Sequence, residues 1–149
     1  MREILYIRLR SADAADPVEY CIARPEAAAS FAVERASLAT ALTQAAQRRV
    51  VVFVPSADVR LACVQVPARQ LAKALKAAPY ALEEQLADDL DDLHFALGTR
   101  LADARWPVAV IAQTRMQAWL ALFQEHGVEV DALIPDVLAL AVPDEAHFS

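Results

Sequence analysis

Between Val66 and Leu97 one apolar stripe runs through VPARQLAKALKAAPYALEEQLADDLDDLHFAL, basic in its first half and densely acidic in its second. Leu71, Leu75, Ala78, Leu82, Leu86 and Leu90 recur at steps of three and four, which predicts a helix with all of them on one buried face. Glu83, Glu84, Asp88, Asp89, Asp91 and Asp92 have no base among them and cannot all share that face. They are expected to form a solvated anionic ridge, which repels itself and mildly opposes folding. A cationic partner surface is one use for such a ridge, and plain solubility is the other. Pro79 falls inside the stripe. Its missing N–H and its clash with the preceding turn predict a kink or split near Ala78, since a straight helix would lose about 3 kcal/mol there. It is expected to mark a subdomain boundary.

The rest of the chain alternates strands and helices. Glu3 to Leu9 and Val18 to Ala23 read as a hairpin around the turn-like DAADP, and Phe31 to Val33 as a short third strand. Ser37 is placed to cap a helix through Gln47, with Leu38, Leu42 and Ala45 inward. Val50 to Val54 is a continuous apolar run, as in a strand covered on both faces. Pro55, Ser56 and Asp58 make a turn, and Val59 to Val66 returns as a strand that stops at Pro67. Leu93 to Leu97 and Trp106 to Ala112 read as strands around a turn. Thr114 and Gln117 then have capping-box spacing ahead of a helix with Met116, Trp119, Leu120 and Phe123 on its apolar face. Gly127 suits the left-handed end of that helix, and Val128 to Ile134 is the next strand, ended by Pro135. The apolar VLALAV close to the last residue reads as a chain cut inside a larger protein.

Composition removes several function classes. With 149 residues, 57% of them apolar, the chain can bury roughly 68–70% of its unfolded surface without staples. Cys21 and Cys63 sit in the apolar runs YCIA and LACVQV without CxxC spacing, and read as buried thiols in a reducing compartment. MREILYIRLR is too charged for a signal peptide, which places the start of the chain in the cytoplasm. No window approaches 18 apolar residues, so nothing here is expected to enter a membrane. A formal charge of −6 with 14 scattered bases argues against nucleic acid, whose phosphates need clustered Lys and Arg.

The hairpin, VVVFVPSADV, the stretch from VQVPARQL to HFALG, and PVAVIAQTRMQAWLALFQEHGVEVDALIPDVLAL follow one another in an order that resembles the amino-terminal cytoplasmic part of the type II secretion system protein L family. PYALEEQLADDLDDLHFAL is the specific part of that likeness. The resemblance implies an α/β fold on an actin-like, RNase H-like scaffold: a mixed sheet with flanking helices plus a small αβ subdomain. With Pro79 as a boundary, that resemblance implies a first RNase H-like subdomain at 1–78, a small inserted αβ subdomain at 79–134, and the truncated start of the next at 135–149. It further implies a platform component at the cytoplasmic face of the bacterial inner membrane. Such a component recruits the secretion ATPase, protein E, through that protein's amino-terminal domain, and meets other platform proteins through parts outside this chain. A homodimer is a further candidate partnership.

Actin-like ATPases hold phosphates in glycine-containing hairpins, because backbone N–H groups approach phosphate only where no side chain intrudes. Here the first hairpin, LYIRLRSADAADPVEY, has no glycine, and no GxxxxGK[ST] or GxGxxG occurs. No nucleotide and no other cofactor is therefore expected, and no catalytic role. Serines lack a nucleophile-elbow context and neither cysteine has an activating neighbour. The competing reading is a carboxylate–metal hydrolase using Asp88, Asp89, Asp92 and His94. The docking reading assigns partner contacts to Tyr80, Glu83, Glu84, Asp88, Asp89, Asp91 and Asp92, with Tyr80 as an aromatic anchor.

Overall fold

ILYIR and VEYCIA alternate apolar and polar residues, and they form β1 (Ile4–Arg8) and β2 (Val18–Ala23), paired antiparallel as the hairpin predicts. The structure is a computed structural model that describes residues 3–13, 15–23 and 33–139. The third strand, β3 (Glu34–Ala36), pairs with β2 and begins just after the expected Phe31 to Val33 segment, of which residues 31 and 32 lie outside the described residues. β4 (Arg49–Val54) and β8 (Ala132–Pro135) lie parallel to β1 and to each other, giving the order β3-β2-β1-β4-β8. This is a mixed sheet, antiparallel on one side of β1 and parallel on the other.

Helix α1 (Leu38–Leu42) starts as expected, with Ser37 accepting from the Thr40 amide, but stops short of Gln47. The Thr43 hydroxyl donates to the Thr40 carbonyl at 2.6 Å, Arg48 donates to the Gln44 carbonyl at 2.8 Å, and Gln47 turns left-handed at φ 62°. These local bonds replace the next helical turn. Leu5, Ile7 and Leu9 of the first strand's line, with Val50, Val52 and Val54, face α1 and helix α3 (Gln113–Gln124), whose Trp119, Leu122 and Phe123 complete one core. On the opposite face Tyr6 and Phe53 stack with ring centroids 5.8 Å apart.

A second sheet, β5-β7-β6, is antiparallel and built from β5 (Arg60–Val64), β6 (Leu93–Leu97) and β7 (Trp106–Ala112). Helix α2 (Leu71–Leu82) covers it, closing a second core of Val64, Leu93, Leu97, Trp106, Val108 and Val110. Ile111 of β7 joins the first core instead, so that this strand is buried on both faces. Residues 60–64 thus share a sheet with residues 106–112, and sheet membership changes at the 3-10 turn Ser56–Asp58 rather than at Pro79. Pro79 does not split α2, which continues through it to Leu82. Burial of Ala74, Ala78 and Leu82 on the sheet holds the helix against the lost hydrogen bond.

The capping-box spacing at Thr114 and Gln117 does not form a cap: α3 begins at Gln113, with Ala112 at the N-cap and no side-chain bond. The far end follows expectation, with Gly127 at φ 68°, its amide on the Gln124 carbonyl and the Val128 amide on the Phe123 carbonyl. β8 begins four residues later than Val128 because Asp131 clamps β4 first, its carboxylate accepting from the Val50 amide at 2.7 Å and its own amide donating to the Val50 carbonyl at 2.9 Å. A short helix, α4 (Asp136–Ala139), follows Pro135. Its Asp136 carboxylate accepts from the Ser56 amide and hydroxyl and stands 3.8 Å from the Arg8 guanidinium. The first half of VLALAV, residues 137–139, falls in this helix, and residues 140–142 lie outside the described residues. Cys21 is half-buried on β2, where burial pushes its thiol pKa upward, whereas Cys63 is exposed on the edge strand β5, not buried as the apolar LACVQV predicts.

Candidate docking surface

Ala, Leu and Lys make α2 a good helix former, and its smallest side chains decide how it sits. Ala74 and Ala78 are fully buried and Leu82 nearly so, at steps of four, which lets the backbone approach the second sheet closely. The stripe read from the leucines is thus rotated. Leu71 and Leu75 remain exposed at the helix flank, and the helix ends at Leu82 before reaching Leu86 and Leu90.

The acidic residues therefore lie on no helix. Glu83–Gln85 and Leu90–Asp92 are single 3-10 turns joined by extended backbone at Leu86 and Asp89. Continuing α2 would have stacked carboxylates on one another at the negative end of its dipole, which disfavours the helical form. The segment is nonetheless fixed. Leu86 packs against the second core, Arg60 of β5 donates to the Gln85 carbonyl at 2.6 Å, the Asp92 amide bonds the Asp89 carbonyl, and Gln113 donates to the Leu93 carbonyl at 3.1 Å.

Glu83, Glu84, Asp88, Asp89, Asp91 and Asp92 are all exposed, and among the described residues none of them enters an ion pair. Asp88 and Asp92 share a shallow concavity with Gln113, Thr114 and Gln117 at the start of α3. There the positive end of that helix, which lacks a side-chain cap, favours them. Tyr80 projects on the outer face of α2 with 72% of its surface exposed.

His94 does not join the carboxylates. It turns from β6 into a half-open apolar cleft of about 230 Å³ between the two sheets, shared with Val54, Ile111, Trp119 and Leu133. Among the described residues no three of His, Cys, Asp and Glu converge as a cation site requires. The hydrolase reading with Asp88, Asp89, Asp92 and His94 loses its geometric basis. That cleft was not legible in the sequence, because it arises where β7, α3 and β8 meet across long stretches of chain.

The glycine-free loop between β1 and β2 satisfies itself. Ser11 donates to Asp16 at 2.5 Å, the Asp13 amide donates to the Ser11 hydroxyl at 3.0 Å, and the Ala15 amide donates to the Asp13 carboxylate at 2.9 Å. Arg10 closes its base onto Glu19 at 2.9 Å, which holds the Glu19 carboxyl below its ordinary pKa, mainly through that hydrogen bond. Amides that would face a phosphate in a nucleotide-binding hairpin here face the loop's own oxygens.

Among the described residues no helix is long and apolar enough to cross a membrane. A family model described as type II secretion system (T2SS), protein L, matches residues 5–148. The type II secretion system protein L of Dickeya chrysanthemi is 35% identical over 148 residues, which cover 97% of this chain and 37% of that protein. Among solved structures, the cytoplasmic domain of EpsL, an inner membrane component of the type II secretion system of Vibrio cholerae, aligns with a TM-score of 0.74 at 27% identity, covering 95% of this chain and 60% of that one. The PilM–PilN type IV pilus biogenesis complex aligns at 0.66 with 18% identity, covering 91% and 48%, a likeness of fold.

Proposed function

The chain belongs to the type II secretion system protein L family, and from that premise we propose that it is a docking module at the cytoplasmic face of the bacterial inner membrane. In this reading it recruits the secretion ATPase, protein E, through that protein's amino-terminal domain and couples it to the assembly platform. Contacts with other platform proteins would fall to parts of the protein outside this chain, which spans little more than a third of the Dickeya relative.

The observation that carries the reading is the pinned acidic segment at 83–92. The backbone of the segment is already fixed and its exposed carboxylates have no internal partners to give up, so a basic surface meets them with little backbone ordering cost. Charge complementarity speeds encounter and sets orientation, while an aromatic such as Tyr80 supplies buried area. The self-bonded β1–β2 loop supports a role without nucleotide chemistry, since fold alone does not carry an ancestral activity.

The test is affinity for the amino-terminal domain of the secretion ATPase. Glu84→Lys with Asp88→Lys should weaken it about tenfold or more. Unchanged affinity would move the contact to another surface. Titration of ATP with Mg²⁺ into the chain should give no binding heat, and a micromolar isotherm would overturn the account of the hairpin.

A further inference from the structure

Residues of β6 and β7 alternate between the two faces of the second sheet. Leu93, Leu97, Val108 and Val110 point to α2, while His94, Ala96, Ala109 and Ile111 point the other way, into the cleft between the sheets. Met116 and Trp119 of α3 stand among the residues that close its other side. Two of the four sheet side chains are single methyl groups, which leaves room where larger residues would bring the layers into contact. The space amounts to about 230 Å³. A cavity of about 150 Å³ lined by Leu, Ile and Phe stays dry and takes up benzene. This cleft therefore has room for one ring with a short substituent.

Trp119 brings to this wall a polar group that the fold leaves unused. It is 1% exposed, and its indole Nε1–H meets no acceptor among the described residues. Trp106, the other tryptophan, shows the ordinary arrangement, its Nε1–H donating to the Ala68 carbonyl at 3.2 Å. A buried donor without an acceptor is costly, and native structures pair nearly all of them. An acceptor carried in by a ligand beside Trp119 would remove that cost. Asp131 also lines the cleft, its carboxylate already accepting from the Val50 amide at 2.7 Å. Its charge repels an anion, and the apolar walls penalise burying any ion. The acceptor is therefore a neutral oxygen.

We propose that the cleft between the two sheets is a binding site for a small neutral ligand, a single aromatic or alicyclic ring whose carbonyl or hydroxyl oxygen accepts from Trp119 Nε1–H. An apolar pocket with a few polar groups on its wall is the usual form of such a site. Here the walls supply the affinity and Trp119 the selection for an oxygen. Because β6 and β7 line one side and α3 and β8 the other, the ligand bridges the two layers. None of the acidic residues at 83–92 lines the cleft, so the site stands independently of the ATPase reading.

The test is nitrogen–proton correlation spectroscopy of the purified chain, whose two tryptophans give two indole N–H signals. Three probes are titrated: acetophenone, α-methylstyrene, which has the same shape with CH₂ in place of the oxygen, and benzoate. Acetophenone should shift the Trp119 indole signal downfield and saturably while leaving that of Trp106 in place. α-Methylstyrene should bind about fivefold more weakly, the worth of one hydrogen bond, and benzoate should not bind. Ala96→Phe, which fills the cleft, should abolish the acetophenone shift. Acetophenone should also raise the thermal midpoint of wild type, since it binds only the folded chain. A Trp119 signal that no probe moves would overturn the proposal. Equal affinity for acetophenone and α-methylstyrene would do the same, and that comparison needs no variant to fold. Binding that survives in a folded Ala96→Phe protein would place the probe elsewhere and sink the site.

Discussion

The two sheets use their helices in opposite ways. Around the first, α3 inserts Trp119 and Phe123, large side chains with almost no exposure, between Leu5, Ile7, Val50 and Val52. Against the second, α2 offers two alanines and one leucine and turns its longer side chains to solvent. Apolar area removed from water stabilises a fold in proportion to that area, so most of the cohesion resides in the first layer. The second layer is a thin support with a charged exterior. A helix that contributes little bulk inward can change its outer residues freely, which makes it the natural place for recognition.

That contrast breaks most readily in the cores. Phe123→Ala removes a fully buried ring and should cost about 3–5 kcal/mol in denaturant unfolding. Leu82→Ala, in the thinner layer, should fall at the low end of about 2–5 kcal/mol. A larger loss at Leu82 than at Phe123 would mean the second layer holds the molecule together. Enlarging the close helix–sheet contact tests the same idea from the other direction. Ala78→Leu should destabilise by about 1–3 kcal/mol through overpacking, and it should also lower affinity for the ATPase domain, because α2 leads directly into Glu83–Gln85.

These core positions also show what the sequence could reveal. Strands β2, β6 and β7 coincide with their expected spans, since continuous or alternating apolar runs of that length leave few alternatives. The leucine stripe misled for a physical reason: in α2 alanine, the weaker hydrophobic signal, marks the buried face, and leucine the flank. Nor did the periodicity register that six carboxylates at a helix C-terminus would undo the helix, a matter of summed electrostatics rather than of spacing. Sheet membership was invisible as well. β5 pairs with β7 across more than forty residues, a choice that no local pattern encodes. The acidic residues themselves were legible because no base falls among them in the sequence.

Smaller effects sharpen the difference between the layers' surfaces. Reversal of Glu84 and Asp88 should leave unfolding free energy within about 0.5 kcal/mol of wild type, as expected for exposed groups without partners. The same reversal should flatten the salt dependence of ATPase binding. A large change in stability would mean that the segment holds the fold together after all, and its proposed availability to a partner would fail.

The smallest expected effect lies in the first layer, where a surface charge does have a partner. Glu19 accepts from Arg10 at 2.9 Å, and its carboxyl is held below the ordinary value of 4.5, first by that hydrogen bond and then, against some opposition from burial, by the charges of Arg10, Arg8 and Arg35. A carboxylate with a depressed folded-state pKa adds stability that is present above the unfolded value and disappears as pH falls through the folded one. Acid titration of wild type should therefore show a loss beginning near pH 4.5, and Arg10→Gln should reduce that loss. Because the pair is exposed to solvent, its worth is about 0.2–1 kcal/mol. The reduction should be detectable in urea midpoints compared at two pH values but absent at neutral pH in high salt. An Arg10→Gln protein with an unaltered acid profile would show that this pair orders the hairpin without stabilising it. The first layer's stability would then rest on its buried side chains and on the less exposed polar contacts, such as Asp131 on the Val50 amide and Arg48 on Glu3.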